Sequence, residues 1–191
     1  MPILASIKTY MQKQETGFEG LIILQPKTYT DERGSFHESW NIDTFKKLNL
    51  NITFVQDNQS TSHRNVLRGL HFQHPPYTQG KLVRVTRGKA LDVVVDLREQ
   101  SKTYKKHFKI ELCSEKGTML WIPTGFAHGF VALEDNTVFQ YKCDGLYTPS
   151  AEDCLLWNDS EIAIDWTVKN PIISAKDLEG KTISALKNIF E

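Results

Sequence analysis

The sequence predicts a mainly β protein, an antiparallel sandwich or barrel with short helices at its flanks. Three observations carry that reading. Short runs through the middle of the chain alternate in hydropathy with period two. Gly, Pro, Asn and Asp punctuate those runs as turns do in all-β proteins. Helical spacing of apolar residues is confined to the flanks. The 191 residues fit one domain, since domains usually hold about 100–200 residues. No internal repeat, low-complexity tract or composition break marks a linker, so a single domain over residues 1–191 is expected. Its core would run from about residue 20 to 180, after an N-terminal extension over 1–16.

The elements follow in order. Ile3, Leu4, Ile7 and Met11 share one face of a candidate N-terminal helix, weakened by Pro2 and polar neighbours. Leu21 to Leu24 is a strand-sized apolar run. Ile42, Phe45 and Leu48 have helical spacing after Asn41, a good cap. Val83 and Val85 fall on one strand face, with Leu82, Arg84 and Thr86 on the other. After the turn at Gly88, Leu91, Val93 and Val95 alternate with Asp92, Val94 and Asp96. Phe108, Ile110 and Leu112 oppose Lys109 and Glu111, and Phe139 shares a face with Tyr141. Ile183, Leu186 and Phe190 predict a closing C-terminal helix.

Composition excludes several function classes. Lys plus Arg and Asp plus Glu both number 23, giving a formal net charge of zero. Nucleic-acid binding normally needs a basic excess, and disorder needs high charge with few apolar groups. Here 40% of residues are hydrophobic. No apolar run approaches the roughly 18 residues of a membrane span, and the first residues lack the pattern of a secretory signal. Three cysteines without a CxxC pair read as buried or idle thiols in a reducing cytosol. A soluble cytoplasmic protein is expected, with no nucleic acid and no membrane as partner.

Polar side chains interrupting a β core are informative, because burying them unpartnered costs several kcal/mol. Gly117, Pro123, Gly125 and His128 have the spacing G-x5-P-x-G-x2-H. This resembles the second signature of the cupin superfamily, whose domains are double-stranded β-helices, so a cupin-type jelly roll is implied. Ala132 replaces the Asn that usually closes the signature. His71 and His74 are three apart, on opposite faces of a strand, which argues against the three-His metal site of other cupins.

A closer resemblance rests on seven motifs in order. They are Asp31-Glu-Arg-Gly34, Phe54-Val-Gln-Asp-Asn58, Val66-Leu-Arg-Gly-Leu-His71, Gln79-Gly-Lys-Leu-Val-Arg84, Trp121-Ile-Pro123, Gly125-Phe-Ala-His-Gly-Phe130 and Trp157-Asn-Asp159. Over about residues 20–180 the chain resembles the dTDP-4-dehydrorhamnose 3,5-epimerase family, metal-free cupin-fold enzymes of dTDP-L-rhamnose synthesis. The resemblance implies epimerisation beside the 4-keto group of dTDP-4-dehydro-6-deoxy-D-glucose, with no cofactor and no metal. It implies His71 as base, Asp177 as its carboxylate partner, Tyr141 as acid and Lys81 as the cation near the keto oxygen. An imidazole suits the first role because its pKa, roughly 6.5, lies near neutral pH.

For the nucleotide half the resemblance implies Arg33, Arg68 and Lys176 at the phosphates, where arginine offers bidentate geometry. It implies Glu38, Gln56 and Asn58 as nucleotide contacts and Tyr147 stacked on thymine. His128 and Glu152 would be further substrate contacts. A homodimer with each site completed by the other subunit is implied as well. Asn65, Lys89, Ala90 and Lys102 depart from the family pattern at what read as surface or turn positions. Three alternatives stay open: a mono-epimerase of a related deoxysugar, a non-catalytic nucleotide-sugar binder and a metal-dependent cupin oxygenase.

Overall fold

Two antiparallel sheets face each other in the computed structural model, which describes residues 10–190. Strands β1 (Met11–Glu15) and β2 (Ile22–Pro26) are followed by a hairpin of β3 (Tyr29–Asp31) and β4 (Gly34–Phe36). Helix α1 (Ile42–Lys47) precedes a run of eight strands. These are β5 (Gln56–Ser62), β6 (Leu67–Gln73), β7 (Lys81–Arg87), β8 (Lys89–Asp96), β9 (His107–Cys113), β10 (Met119–Ile122), β11 (Phe126–Ala132) and β12 (Thr137–Cys143). β13 (Glu152–Cys154) and the one-turn helix α2 (Ala175–Leu178) complete the set.

Within the eight-strand run, four strands lie in the order β5-β12-β7-β10 and four in the order β6-β11-β8-β9. Two four-stranded sheets threaded in this way form the predicted jelly roll. β2 and β1 extend the first sheet beyond β10, and β13 extends the second beyond β6.

Apolar layers form on three levels. Between the sheets lie Val83, Val85, Val94, Leu120, Phe130 and Phe139, with the rings of Phe130 and Phe139 stacked 4.0 Å apart. Outside the first sheet, Phe45 of α1 joins Leu82, Met119 and Trp121. Outside the second, Leu91, Val93 and Val95 meet Leu155, Ile162, Trp166, Ile183 and Leu186 of the C-terminal segment. Each fully buried side chain of this size contributes roughly 1.5–3 kcal/mol. In the central strands, covered on both faces, the alternation does not separate core from solvent, whereas Lys109 and Glu111 of β9 are exposed as their pattern predicts. Leu82 and Val83 point opposite ways and both are buried, and every residue of β8 after Lys89 is buried.

Helix α1 begins as its sequence predicts. The Asn41 side chain accepts from the N–H groups of Asp43 and Thr44, satisfying two of the helix's orphan donors. Two other expectations fail. Of the N-terminal helix, Ile3, Leu4 and Ile7 lie outside the described residues. Met11 opens β1 instead, because the edge of β2 supplies its backbone partners. The C-terminal helix over Ile183, Leu186 and Phe190 does not form. Those residues keep their apolar contacts, while their backbone is held from outside. The Ile183 N–H donates to Asp159 Oδ2 at 2.9 Å, and Lys181 and Phe190 form bridges to Leu155 and Arg98.

Candidate active site

A cavity of about 630 Å³ opens between the two sheets beside the inner core. One wall is built by β5, β7 and β12, the other by β6, β11 and β13, with residues 172–177 at the rim.

How β6 aims its side chains is a matter of register. Arg68 and His71 are three residues apart, which in a regular strand puts them on opposite faces, yet both line the cavity. Opposite them, His128 pairs with His71 and Phe130 with Arg68, so Gly129 alone faces Gly69 and Leu70. The extra residue is a β-bulge, a device that re-aims a side chain. It turns Leu70 into the outer core. The contact demands glycine on both strands. A Cβ on Gly69, whose φ is +121°, would lie 2.6 Å from the Gly129 Cα, and one on Gly129 would lie 2.6 Å from the Arg68 carbonyl oxygen.

His71 Nε2 lies 2.8 Å from Asp177 Oδ1. The carboxylate is fixed twice more: the Gly69 N–H donates to its Oδ2 at 3.0 Å, and its own N–H donates to the cap Ser174 Oγ at 3.1 Å. Burial opposes ionisation of Asp177, but hydrogen bonds from His71 and Gly69 outweigh it and hold the carboxyl below its usual range. An ionised carboxylate only accepts, so Nε2 carries the proton and the other ring nitrogen is the free base. The imidazole keeps 30% of its surface exposed, Asp177 only 5%.

A second imidazole–carboxylate pair lies beside it. His128 Nε2 is 2.8 Å from Asp92 Oδ1, with both side chains buried. Burial, helped by the Lys81 and His71 charges, pushes the His128 pKa down against the pull of Asp92. Among the described residues Asp92 Oδ2 has no hydrogen-bond partner. Burial also lowers the pKa of Lys81, countered by Cys143, Glu152 and Asp92. On the same sheet as Lys81, facing His71, burial raises the Tyr141 pKa, so the phenol is protonated at neutral pH.

The mouth is a polar lattice. Glu152 accepts from the Tyr147 hydroxyl at 2.6 Å and pairs with Lys176. Burial raises the Glu152 pKa, but Lys176 and Tyr147 draw it below the ordinary value. Gln56 Oε1 accepts from the Tyr147 N–H at 2.9 Å, and Gln56 Nε2 donates to Asn58 Oδ1 at 3.0 Å.

All the predicted site residues line this cavity except Arg33 and Glu38. Arg33 sits on the β3–β4 hairpin, bonded to Asp31 and exposed to solvent. Glu38 accepts from Asn41 Nδ2 at 2.9 Å and Thr44 Oγ1 at 2.7 Å, an anchor for α1.

Sequence reasoning missed Asp92, Gln73 and Cys154. Asp92 carried a signal, a carboxylate inside a valine-rich strand. Gln73 lines the cavity and fixes its mouth through Leu146 and Thr148. Cys154 pairs across the ladder with His71, and burial followed by the nearby Asp177 charge pushes its thiol up to about 12.

A family model described as dTDP-4-dehydrorhamnose 3,5-epimerase matches residues 15–185. The dTDP-4-dehydrorhamnose 3,5-epimerase of Salmonella typhimurium is 48% identical over 165 residues, 85% of this chain and 90% of its own. The crystal structure of the same-named enzyme from Elizabethkingia anophelis superposes with a TM-score of 0.88 at 42% identity, covering 94% of this chain and 99% of that one. A Legionella pneumophila 3,5-epimerase solved with dTDP-4-keto-L-rhamnose gives 0.88 at 40% identity, covering 93% and 95%. More distant is a dTDP-4-dehydrorhamnose 3-epimerase of Streptomyces niveus, 32% identical over 179 residues, 93% of this chain and 86% of its own.

Proposed function

This chain belongs to the dTDP-4-dehydrorhamnose 3,5-epimerase family, and on that premise we propose how its cavity works. The protein is an isomerase of dTDP-L-rhamnose biosynthesis. It epimerises carbons 3 and 5 of dTDP-4-dehydro-6-deoxy-D-glucose to give dTDP-4-dehydro-L-rhamnose. The observation that carries the mechanism is the opposition of walls. His71 stands on one sheet with Asp177 of α2 beside it, while Tyr141 and Lys81 stand on the other, around one cavity. Inversion needs a base on one face of the sugar and an acid on the other.

The ketone at carbon 4 acidifies the protons on both neighbouring carbons. His71 takes one of them through the ring nitrogen turned away from Asp177, and Asp177 stabilises the resulting imidazolium. The electron pair left on carbon passes to the carbonyl oxygen, and the Lys81 cation meets the enolate charge there. Tyr141 returns a proton from the opposite wall, inverting the centre. The imidazolium then loses its proton to solvent, the phenolate regains one, and the cycle repeats at the other carbon.

Arg68 and Lys176 are suited to the diphosphate, Gln56 and Asn58 to the nucleotide, and the exposed Tyr147 ring to stacking on thymine. His128 and Glu152 are assigned as further substrate contacts. The cavity lacks Arg33 and Glu38 from its own chain, which supports a homodimer in which Arg33 of the partner subunit reaches the phosphates. We assign the chain to one catalytic domain working in the cytoplasm. No helix among the described residues is long and apolar enough to cross a membrane.

The test is turnover of the dTDP-4-keto sugar in deuterated buffer, followed by NMR. Deuterium is expected at carbons 3 and 5. Exchange at neither carbon in folded protein overturns the reaction, and inversion at one alone makes the enzyme a mono-epimerase.

A further inference from the structure

We propose that His71, Asp177 and Cys154 together form a capture site for a thiophilic divalent cation, zinc foremost, and that its occupation switches the epimerase off. The inhibitory half rests on the reading of His71 as the base. The site itself rests on geometry alone. Strand β13 pairs with β6 so that Cys154 stands directly across from His71, and residues paired in this way project on the same side of a sheet. Asp177 arrives from α2. One ligand atom from each of the three side chains lies within 4.8 Å of the other two. Among the described residues no other three histidine, cysteine or acidic side chains converge so closely.

One imidazole nitrogen, one sulfur and one carboxylate oxygen make a zinc donor set. Zinc holds such atoms at about 2.0–2.3 Å, which places the donors about 3.3–3.8 Å from one another. The cluster needs to contract by about 1 Å at its widest separation, a shift within reach of three groups on three separate segments. Asp177 is already oriented by the Gly69 N–H, the kind of outer contact that steadies a ligating carboxylate. The partly exposed imidazole opens the cluster to the cavity. That opening supplies an entry path and a fourth coordination position for water. Magnesium does not suit this set, since it demands an octahedron of hard oxygen donors.

Coordination releases the Cys154 proton to solvent and engages His71 Nε2, the nitrogen beside Asp177, whose proton passes through solvent to the other ring nitrogen, so that neither nitrogen keeps a free lone pair. His71 then takes no proton from carbon. The site is therefore inhibitory: it borrows the catalytic pair, and only its third ligand, Cys154, has no part in the reaction.

The experiment uses the full-length protein with Co²⁺ as spectroscopic probe and Zn²⁺ in the turnover assay. The wild type is expected to show a thiolate-to-cobalt charge-transfer band. Zinc should inhibit it reversibly, EDTA should restore turnover, and equal Mg²⁺ should leave it unchanged. C154S should lose the band and need at least about tenfold more zinc for half-inhibition, the smallest loss expected even for a group outside the coordination shell. C154A is the second variant should C154S fold poorly. An active wild type without the band overturns the proposal, as does equal inhibition of wild type, C154S and C154A by zinc. The band in a folded protein that exchanges neither carbon upholds the metal site while overturning the epimerase reading.

Discussion

His71 and Asp177 are 106 positions apart and meet at 2.8 Å, so each half of the dyad can be removed alone. H71A is expected to bind dTDP while losing about 10²–10⁴ in kcat, and dTDP titration beside the turnover assay separates the two effects. Two acid-sensitive groups should also be visible in stability. His128 is depressed by burial, so its contribution is full above the unfolded imidazole pKa of about 6.5 and fades as pH falls below it. Asp177 is depressed by its hydrogen bonds, so its contribution is lost only below about pH 3.9, as pH falls through the folded pKa. Melting curves should therefore show two acid limbs. H128Q should shrink the first, which His37 shares, and D177N the second, which Glu152 shares. At this scale the motif around Arg68 and His71 was legible because polar residues interrupt an apolar strand. Asp92, a carboxylate inside a valine-rich strand, was only half legible, because which face of β8 lies between the sheets, where Asp92 meets His128, is set by strands far along the chain.

Among the elements, the bulge of β6 against β11 is the most demanding. G69A puts a Cβ against backbone on the facing strand at a positive φ, and about 3 kcal/mol of stability should be lost. Denaturant titration measures the loss, and the surviving fold should have weakened activity because Arg68 and His71 both turn on this register. N41A is a contrasting case. It removes a cap from a helix on the far side of the first sheet, costing about 1 kcal/mol, and kcat should hardly move. The strands and α1 were readable from period two and from the Asn41 cap. The C-terminal helix was misread because i, i+3 apolar spacing also fits a chain lying over a sheet in turns, with Asp159 and isolated bridges supplying the backbone partners. Met11 was misread for a related reason: an edge strand takes its pairing from a neighbour, and the neighbour is invisible in a local window.

Across the whole molecule, the zero net charge conceals a cavity carrying Arg68, Lys81 and Lys176 against Glu152 and Asp177. The missing Arg33 gives a test of assembly. R33A and H71A, each weak alone, should recover about a quarter of wild-type activity when mixed and allowed to exchange subunits, since half the dimers then hold one complete site. Recovery of nothing excludes sharing of Arg33 between subunits. The C-terminal segment has a further consequence. It lies over the outer face of the second sheet, carries Asp177 to the rim and contributes no strand to the jelly roll. Proteins open in parts, and segments draped over a core open before it. Heat should therefore inactivate this enzyme below the temperature at which its sheets melt, with amide exchange accelerating first over residues 155–190. Activity thereby becomes a gauge of whether that strap is seated, and a loss of function on warming reports an undocked tail before it reports an unfolded protein.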